Sequence, residues 1–149
     1  MASDPDDIRN WQRRPDGITT SGKLERGDPA RLAAIGVRHV INLALDNHPE
    51  ALAHEADLLA AEGIEYTHIP IPFDAPSRDH VDQLRFAMET GIEPTHIHCI
   101  MNYRVTAFLY LLDQQNRVPE IEARARMNEV WDPLNSDHPS AKPWRALLT

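Results

Sequence analysis

The sequence predicts an α/β fold with a mostly parallel central sheet and helices on both faces. Short β-branched, apolar segments alternate along the chain with helical segments of about ten residues. Proline, glycine and helix-capping residues separate these segments. Strands that alternate with helices form right-handed βαβ units, which build parallel sheets. No long linker or repeat divides the 149 residues, so we expect a single domain over residues 1–149.

The first part of the chain contains two predicted strands and one predicted helix. Residues 18–21 form a short strand, and residues 37–44 are β-branched and apolar, which is typical of a buried strand. Between them we expect a helix that Asp28 caps, with Pro29 at its first position and Gly36 after its end.

The rest of the chain continues the alternation of strands and helices. Residues 79–90 carry apolar side chains at helical spacing, and residues 104–115 are apolar enough to predict a largely buried helix. The elements predicted after residue 50 are helices at 51–62, 79–90, 104–115, 119–130 and 144–148 and strands at 64–71 and 95–99.

Composition and charge argue against several kinds of partner. The formal net charge is −8, whereas nucleic-acid phosphates are bound by basic surfaces. No apolar run reaches the roughly 20 residues of a membrane-spanning helix, and the acidic N-terminus is unlike a secretory signal. We therefore expect a cytoplasmic protein with no nucleic-acid partner and no membrane partner.

Cofactors and metals are not expected either. The sequence has no nucleotide P-loop and no dinucleotide-type glycine motif. His96 and His98 share one face of a predicted strand, but a metal site needs at least one further ligand. Four arginines are interpreted as solvent-exposed, namely Arg13, Arg14, Arg124 and Arg126.

The chemistry is expected in the loop between strand 95–99 and helix 104–115. Cys99, the single cysteine of the sequence, ends the strand, and Arg104 starts the helix after four intervening residues. A helix N-terminus offers unpaired N–H groups to an anion, and arginine can hold two oxygens of an oxyanion at once. These positive surroundings favour a thiolate, which beside a bound phosphate is a nucleophile in place. A cysteine that ends an apolar strand is also compatible with a small buried core residue.

The block IHCIMNYRVTAF resembles the active-site loop of a bacterial phosphatase-like family called beta-lactamase-hydrolase-like. That family is related to the dual-specificity and tyrosine phosphatases. The segments ITTSG, GVRHVINL and EGIEYTHIPIPFD are similar to the opening strands of the family, in the same order. The resemblance covers residues 15–115, with Trp131-Asp132-Pro133 as a candidate extension. It implies a cysteine-phosphatase fold of the phosphotyrosine phosphatase type.

The resemblance also implies a phosphomonoester hydrolase that works through a phosphocysteine intermediate. Cys99 would be the nucleophile, and Arg104 and the loop amides would hold the phosphoryl oxygens. His98 would help to set the loop and the state of the thiol. The expected partner is a phosphorylated substrate or an inorganic oxyanion. Its binding residues would be His98, Ile100, Met101, Asn102 and Tyr103.

The general acid is expected to be Asp74, which lies 25 residues before Cys99. Asp74 follows a predicted strand and lies between prolines that stiffen the loop. The family carries an aspartate in a similar loop at the end of a strand. Asp79 is the alternative, but it also suits the N-cap of the next helix.

Two features of the loop leave other functions open. Tyrosine phosphatases place five residues between cysteine and arginine, whereas four residues also occur in rhodanese sulfurtransferases and support a persulfide-handling enzyme. The loop residues 100–103 contain no glycine, which supports a non-catalytic module that binds an anion without turnover. Asn102 is the loop residue most able to adopt a left-handed conformation and so to substitute for glycine.

Overall fold

A five-stranded sheet lies at the centre of the computed structural model, which describes residues 2–149. Its strands pair in the order β1-β2-β5-β3-β4, and every pair is parallel except β1 with β2. The mostly parallel sheet predicted from the sequence is therefore confirmed. The strands are β1 (Gln12–Arg13), β2 (Thr19–Ser21), β3 (His39–Asn42), β4 (Glu65–His68) and β5 (Thr95–His98). The sequence analysis missed β1, because two residues carry no periodicity.

Helices cover both faces of the sheet, as predicted. On one face Ile41 and Ile97 pack in a cluster with α3, α4 and the C-terminal helices. On the other face Val40 packs with Leu32 and Leu59 from the first two helices. The helices are α1 (Asp28–Ala34), α2 (Glu55–Ala61), α3 (Arg78–Thr90), α4 (Tyr103–Gln115), α5 (Glu120–Asn128) and α6 (Lys142–Leu148), with a 3₁₀ turn at Pro139–Ala141.

The central helix α4 is buried along most of its length. All residues from 104 to 113 are buried, which confirms the prediction from their apolar character. Asp113 ends this stretch and accepts hydrogen bonds from the guanidinium of Arg14, with 2.5 Å between Nη2 and Oδ1. Arg14 is 5% exposed, so the prediction that it faces solvent is wrong. The buried carboxylate of Asp113 explains this, because it needs a cationic partner that the sequence separates from it by 99 residues.

Helix starts differ from the sequence predictions in two places. Gly27, and not Asp28, is the N-cap of α1; the Asp28 carboxylate instead accepts a hydrogen bond from Glu25 N at 2.7 Å. α2 begins at Glu55, and not at residue 51, because His54 takes a left-handed conformation with φ 60°. Within residues 2–149, no helix combines the length and the apolar character that crossing a bilayer requires.

Candidate active site

The carboxyl ends of three strands meet at one rim of the sheet, and Cys99 follows directly from it. Ser21, Asn42 and His98 are register partners at the ends of β2, β3 and β5. Cys99 is only 1% exposed, and its N–H donates to the carbonyl of Ser21 at 3.3 Å. Residues 99–104, which we call the Cys99 loop, run from this rim into the first turn of α4.

The carbonyl oxygens at the start of the Cys99 loop all accept hydrogen bonds. The donors come from β5, from the segment after β2, from the N-terminal segment and from α4. Cys99 O accepts from His98 Nδ1 (3.2 Å), Ile100 O from Lys23 N (2.9 Å) and Arg9 Nη1 (3.3 Å), Met101 O from Asn10 Nδ2 (2.9 Å), and Asn102 O from Thr106 N (3.2 Å) and Oγ1 (2.9 Å).

The N–H groups of the same segment point away from these bonded carbonyl oxygens. In a trans peptide, the N–H points away from the carbonyl of the preceding residue, so fixing the carbonyls of residues 99–102 also fixes the N–H groups of residues 100–103. The first turn of a helix leaves further N–H groups unpaired. The N–H groups of residues 100–105 donate to no acceptor in the described chain. Six successive N–H donors are therefore available to an oxyanion.

Asn102 makes the turn that this glycine-free loop requires. Its φ is 69°, which confirms the left-handed conformation predicted from the sequence. Its side-chain Nδ2 donates to the carbonyl of Asn10 at 2.8 Å and to Thr20 Oγ1 at 2.9 Å. These two bonds offset part of the strain of the left-handed backbone.

Gly22 allows the segment after β2 to approach the Cys99 loop. A Cβ atom at this position would lie 2.5 Å from the carbonyl oxygen of Ile100, closer than atoms in contact can be. The N–H of Gly22 also donates to the carbonyl of Arg9 at 2.7 Å. A glycine is required here by close backbone packing, and the Cys99 loop depends on it for its position.

Arg104 is a buried cation without a carboxylate partner. Arg104 is 7% exposed and forms no ion pair with any residue from 2 to 149. Its Nε is buried and donates to no atom of the described chain. The guanidinium carbon lies 5.4 Å from the centre of the Phe73 ring. Because a buried cation is costly without an anion, this arrangement suits an anionic ligand.

Phe73 is followed by Asp74 in the loop between β4 and α3. The carbonyl of Phe73 accepts a hydrogen bond from Trp144 Nε1 at 2.8 Å, which fixes the loop between β4 and α3. Asp74 is exposed on that loop. Asp79 is exposed in the first turn of α3, but Ser77 is the N-cap, with its Oγ accepting from His80 N at 3.3 Å. The capping role considered for Asp79 is therefore wrong.

His98 lies behind the Cys99 loop and is bonded on both ring nitrogens. Its Nε2 lies 2.6 Å from Glu55 Oε2, and its Nδ1 donates to the carbonyl of Cys99. The other carboxylate oxygen of Glu55 accepts from Asn42 Nδ2 at 3.4 Å, and the same Nδ2 lies 3.1 Å from the hydroxyl of Tyr66. A buried polar network therefore supports the backbone next to the thiol.

His96, two residues earlier on β5, has different partners. Its ring nitrogens contact two hydroxyls, Thr19 Oγ1 at 2.8 Å and Ser21 Oγ at 2.9 Å. Burial and the neighbouring His98 hold the pKa of His96 well below its usual value of 6.5. Ser21 Oγ donates to the carbonyl of Gly22, so it accepts from the Nε2–H of a neutral His96.

The chain after α5 packs against the start of α4. The ring of Trp131 stacks on that of Tyr103, with centroids 4.5 Å apart and planes 7° apart. Phe73 also contacts both rings, with centroids 5.8 Å from Trp131 and 6.4 Å from Tyr103. This aromatic cluster fixes the side chain of Tyr103, near the end of the Cys99 loop.

The chain matches the model of one protein family over most of its length. The model of the beta-lactamase hydrolase-like protein, phosphatase-like domain matches residues 12–116, which include the whole sheet and the Cys99 loop. The chain belongs to this family. It is therefore a phosphatase-like domain, and the resemblance given by the sequence is confirmed. Among curated proteins, none matches it.

Solved structures show the same fold. A Shewanella putrefaciens CN-32 protein, provisionally described as a phosphatase, is 28% identical, with a TM-score of 0.79 over 95% of this chain and 88% of that one. A cysteine-to-serine variant of P. aeruginosa TpbA in complex with phosphotyrosine is 18% identical, with a TM-score of 0.67 over 99% and 86%. Kinase associated phosphatase is 13% identical, with a TM-score of 0.70 over 98% and 94%.

Several residues that support the site of this phosphatase-like domain were not found by sequence reasoning. Arg9 and Asn10 precede the matched region, and their contacts with the Cys99 loop span more than 90 positions. In the sequence, Glu55 is one more charged residue within the predicted helix 51–62. Only Thr106 carried a signal, since it is a hydroxyl one helical turn after the loop.

Proposed function

We propose that this domain is a cysteine-dependent phosphomonoester hydrolase. The observation that carries the proposal is the division of the backbone from Cys99 to the first turn of α4: the carbonyls of residues 99–102 are bonded to donors outside the loop, and the N–H groups of residues 100–105 are left for an anion. The unpaired guanidinium of Arg104 adds a positive charge beside them. A tetrahedral phosphoryl group supplies oxygens that match these donors, and Cys99 begins the loop that would surround it.

In the first step, the thiolate of Cys99 attacks phosphorus. The S–P bond forms while the bond from phosphorus to the ester oxygen breaks, and charge collects on the three remaining phosphoryl oxygens. The loop N–H groups and Arg104 stabilise that charge, because they are already oriented before the reaction. Asp74, in its protonated form, gives its proton to the leaving oxygen.

In the second step, water hydrolyses the phosphocysteine. Asp74, now a carboxylate, takes a proton from the water, whose oxygen attacks phosphorus as the S–P bond breaks. Inorganic phosphate leaves, and Cys99 returns to the thiolate. The position of Asp74 next to Phe73, which contacts Arg104, supports this assignment over Asp79.

The substrate class that we propose is an aryl phosphate such as phosphotyrosine. P. aeruginosa TpbA, which has the same fold, was crystallised with phosphotyrosine. The aromatic cluster of Tyr103, Phe73 and Trp131 lies beside the proposed oxyanion site and offers ring faces to an aromatic leaving group.

A second candidate is an anion-binding module without turnover. It is favoured by the burial of the nucleophile, since Cys99 is 1% and Ile100 is 7% exposed. The sulfurtransferase alternative has no comparable support, because the matched family and the structures described above are phosphatase-like.

The experiment that separates these functions is hydrolysis of para-nitrophenyl phosphate and phosphotyrosine by the wild type and Cys99→Ser, with vanadate as inhibitor. We expect turnover that vanadate blocks and that falls at least about a thousandfold in Cys99→Ser, since the variant lacks the nucleophile. No turnover by the wild type, together with stabilisation of the fold by phosphate, would instead support the binding module. Turnover that persists in Cys99→Ser would contradict the proposed mechanism.

A further inference from the structure

Glu55 and His98 form a buried pair beside the Cys99 loop, and the reaction proposed above gives Glu55 no role. The side chains of the pair are 5% and 4% exposed. The distance of 2.6 Å between Oε2 and Nε2 is short, as in charge-assisted hydrogen bonds. The carboxylate of Glu55 bonds to the residue directly before the proposed nucleophile, so it can influence Cys99 through the side chain of His98.

The partners of His98 define where its protons lie. A carbonyl oxygen can only accept, so Nδ1 carries the hydrogen that bonds to Cys99 O. An ionised carboxylate also only accepts, so Nε2 carries a second hydrogen toward Glu55. Donation from both ring nitrogens is the hydrogen-bond pattern of an imidazolium ion paired with a carboxylate.

The other ionisable groups next to the pair on the sheet are neutral near pH 7. His96 stacks on His98 with ring centroids 6.2 Å apart, and burial together with the charge of His98 holds its pKa well below 6.5. Tyr66 reaches the pair through an asparagine, and burial and the charge of Glu55 raise its pKa to about 12. Neither group competes with Glu55 for the charge of His98.

The charged groups of the surrounding loops have partners of their own. Lys23 and Glu50 line the same small cavity as the pair. Lys23 is bonded to Glu25 at 3.0 Å, and Glu50 to Arg9 at 2.8 Å. Arg104 does not line this cavity, and its guanidinium lies over the ring of Phe73. Glu55 is therefore the charged group in direct contact with the imidazole of His98.

The hydrogen bond from His98 also sets the orientation of the peptide between Cys99 and Ile100. The carbonyl of Cys99 and the N–H of Ile100 belong to one planar peptide and point in opposite directions. Holding the carbonyl by an imidazolium N–H therefore aims the N–H of Ile100, which is the first of the six unpaired donors.

We propose that Glu55 is a positioning residue: it keeps His98 in the imidazolium form, and His98 in turn fixes the Cys99 peptide and favours the Cys99 thiolate. The inference rests on the proposed function, in which this thiolate attacks phosphorus. Its test does not require turnover, because the protonation of both groups can be read directly.

The first measurement is the ¹⁵N NMR spectrum of the histidine side chains in the wild type, with His98→Asn used to assign His98. We expect both ring nitrogens of His98 to carry protons at neutral pH, and one of them to lose its proton in Glu55→Gln. Glu62→Gln, the same change at the exposed C-terminal end of α2, is the matched control and should leave the signals unchanged.

The second measurement is the titration of the thiol, which is unambiguous because the chain has one cysteine. Thiolate absorbance and ¹³C-labelled cysteine should show the midpoint of the Cys99 titration in Glu55→Gln about one pH unit or more above that of the wild type. Glu55→Asp, which keeps the charge, should lie between the two.

The outcomes separate this inference from the proposed function. A neutral His98 in the wild type would overturn the inference even if Glu55→Gln fails to fold. Unchanged titrations of His98 and Cys99 in a folded Glu55→Gln would also overturn it, whatever the activity of the protein. If the titrations shift as expected but no phosphate ester is hydrolysed, the role of Glu55 stands and the proposed function fails.

Discussion

The two sides of the Cys99 loop differ in how completely their polar groups are bonded. On the outer side, carbonyl oxygens accept hydrogen bonds from five residues in four parts of the molecule, including Arg9 and Asn10 of the N-terminal segment. On the inner side, six N–H groups and the guanidinium Nε of Arg104 have no acceptor in the described chain. The fold stabilises one side and leaves the other for a ligand.

A loop without glycine can form an anion site when residues outside the loop hold its peptides. In glycine-rich loops, the backbone turns its N–H groups inward at little steric cost. Here a single left-handed residue, Asn102, makes the turn, and outside donors hold the remaining peptides. The orientation of the N–H groups thus depends on residues outside the loop, of which Asn10 and Gly22 are the most direct.

The largest effect is expected on the inner side of the loop, at Arg104. Arg104→Lys keeps the charge but loses the planar pair of N–H donors, so we expect kcat/KM for an aryl phosphate to fall about 10²–10³-fold. Binding of vanadate should weaken in parallel. Arg124→Lys, a change on the surface where Arg124 pairs with Glu120, is the control and should have no effect. Wild-type affinity for vanadate in Arg104→Lys would show that the guanidinium does not bind the oxyanion.

A second contrast lies within β5, where His96 and His98 share one face. His96 contacts hydroxyls and has a pKa well below 6.5, while the unfolded chain binds a proton at that pH. The unfolded state therefore binds more protons below pH 6.5, so the stability due to neutral His96 is complete above that pH and decreases as the pH falls. We expect a loss of about 1.4 kcal/mol per pH unit from this group.

Urea unfolding at about pH 5.5 and pH 7.5 measures that loss. Between these two pH values, the free energy of unfolding should fall by about 1.4 kcal/mol more in the wild type than in His96→Gln, which has no group that titrates in this range. Equal changes in the two proteins would mean that His96 is protonated in the folded state.

The outer side is tested by Asn10→Gly, which removes the donor to Met101 O while glycine accepts the left-handed φ of 51° at this position. We expect the affinity for inorganic phosphate to fall about fivefold, since one neutral hydrogen bond contributes about 1 kcal/mol. The urea midpoint reports whether the fold itself has changed. If a folded Asn10→Gly binds inorganic phosphate as tightly as the wild type, the orientation of the loop N–H groups does not depend on Asn10.

The sequence predicted the parts of this molecule that depend on local pattern. The alternation of strands and helices, the buried α4 and the left-handed Asn102 follow from periodicity and from single-residue preferences. The supports of the site depend instead on contacts between distant segments. Asn10 bonds to a loop 91 residues away, and Glu55 bonds to His98 43 residues away. No local signal records such pairs, and the misinterpretation of Arg14 has the same cause.

Covalent catalysis by Cys99 can be tested by trapping the phosphocysteine. The Asp74→Asn variant is mixed with an aryl phosphate whose leaving group is acidic, quenched rapidly and measured by intact mass spectrometry, with the same variant carrying Cys99→Ser as the control. We predict one added phosphoryl group located on Cys99, because an acidic leaving group needs no proton in the first step whereas hydrolysis still needs the base. Turnover with no phosphoryl group on Cys99 would contradict the account.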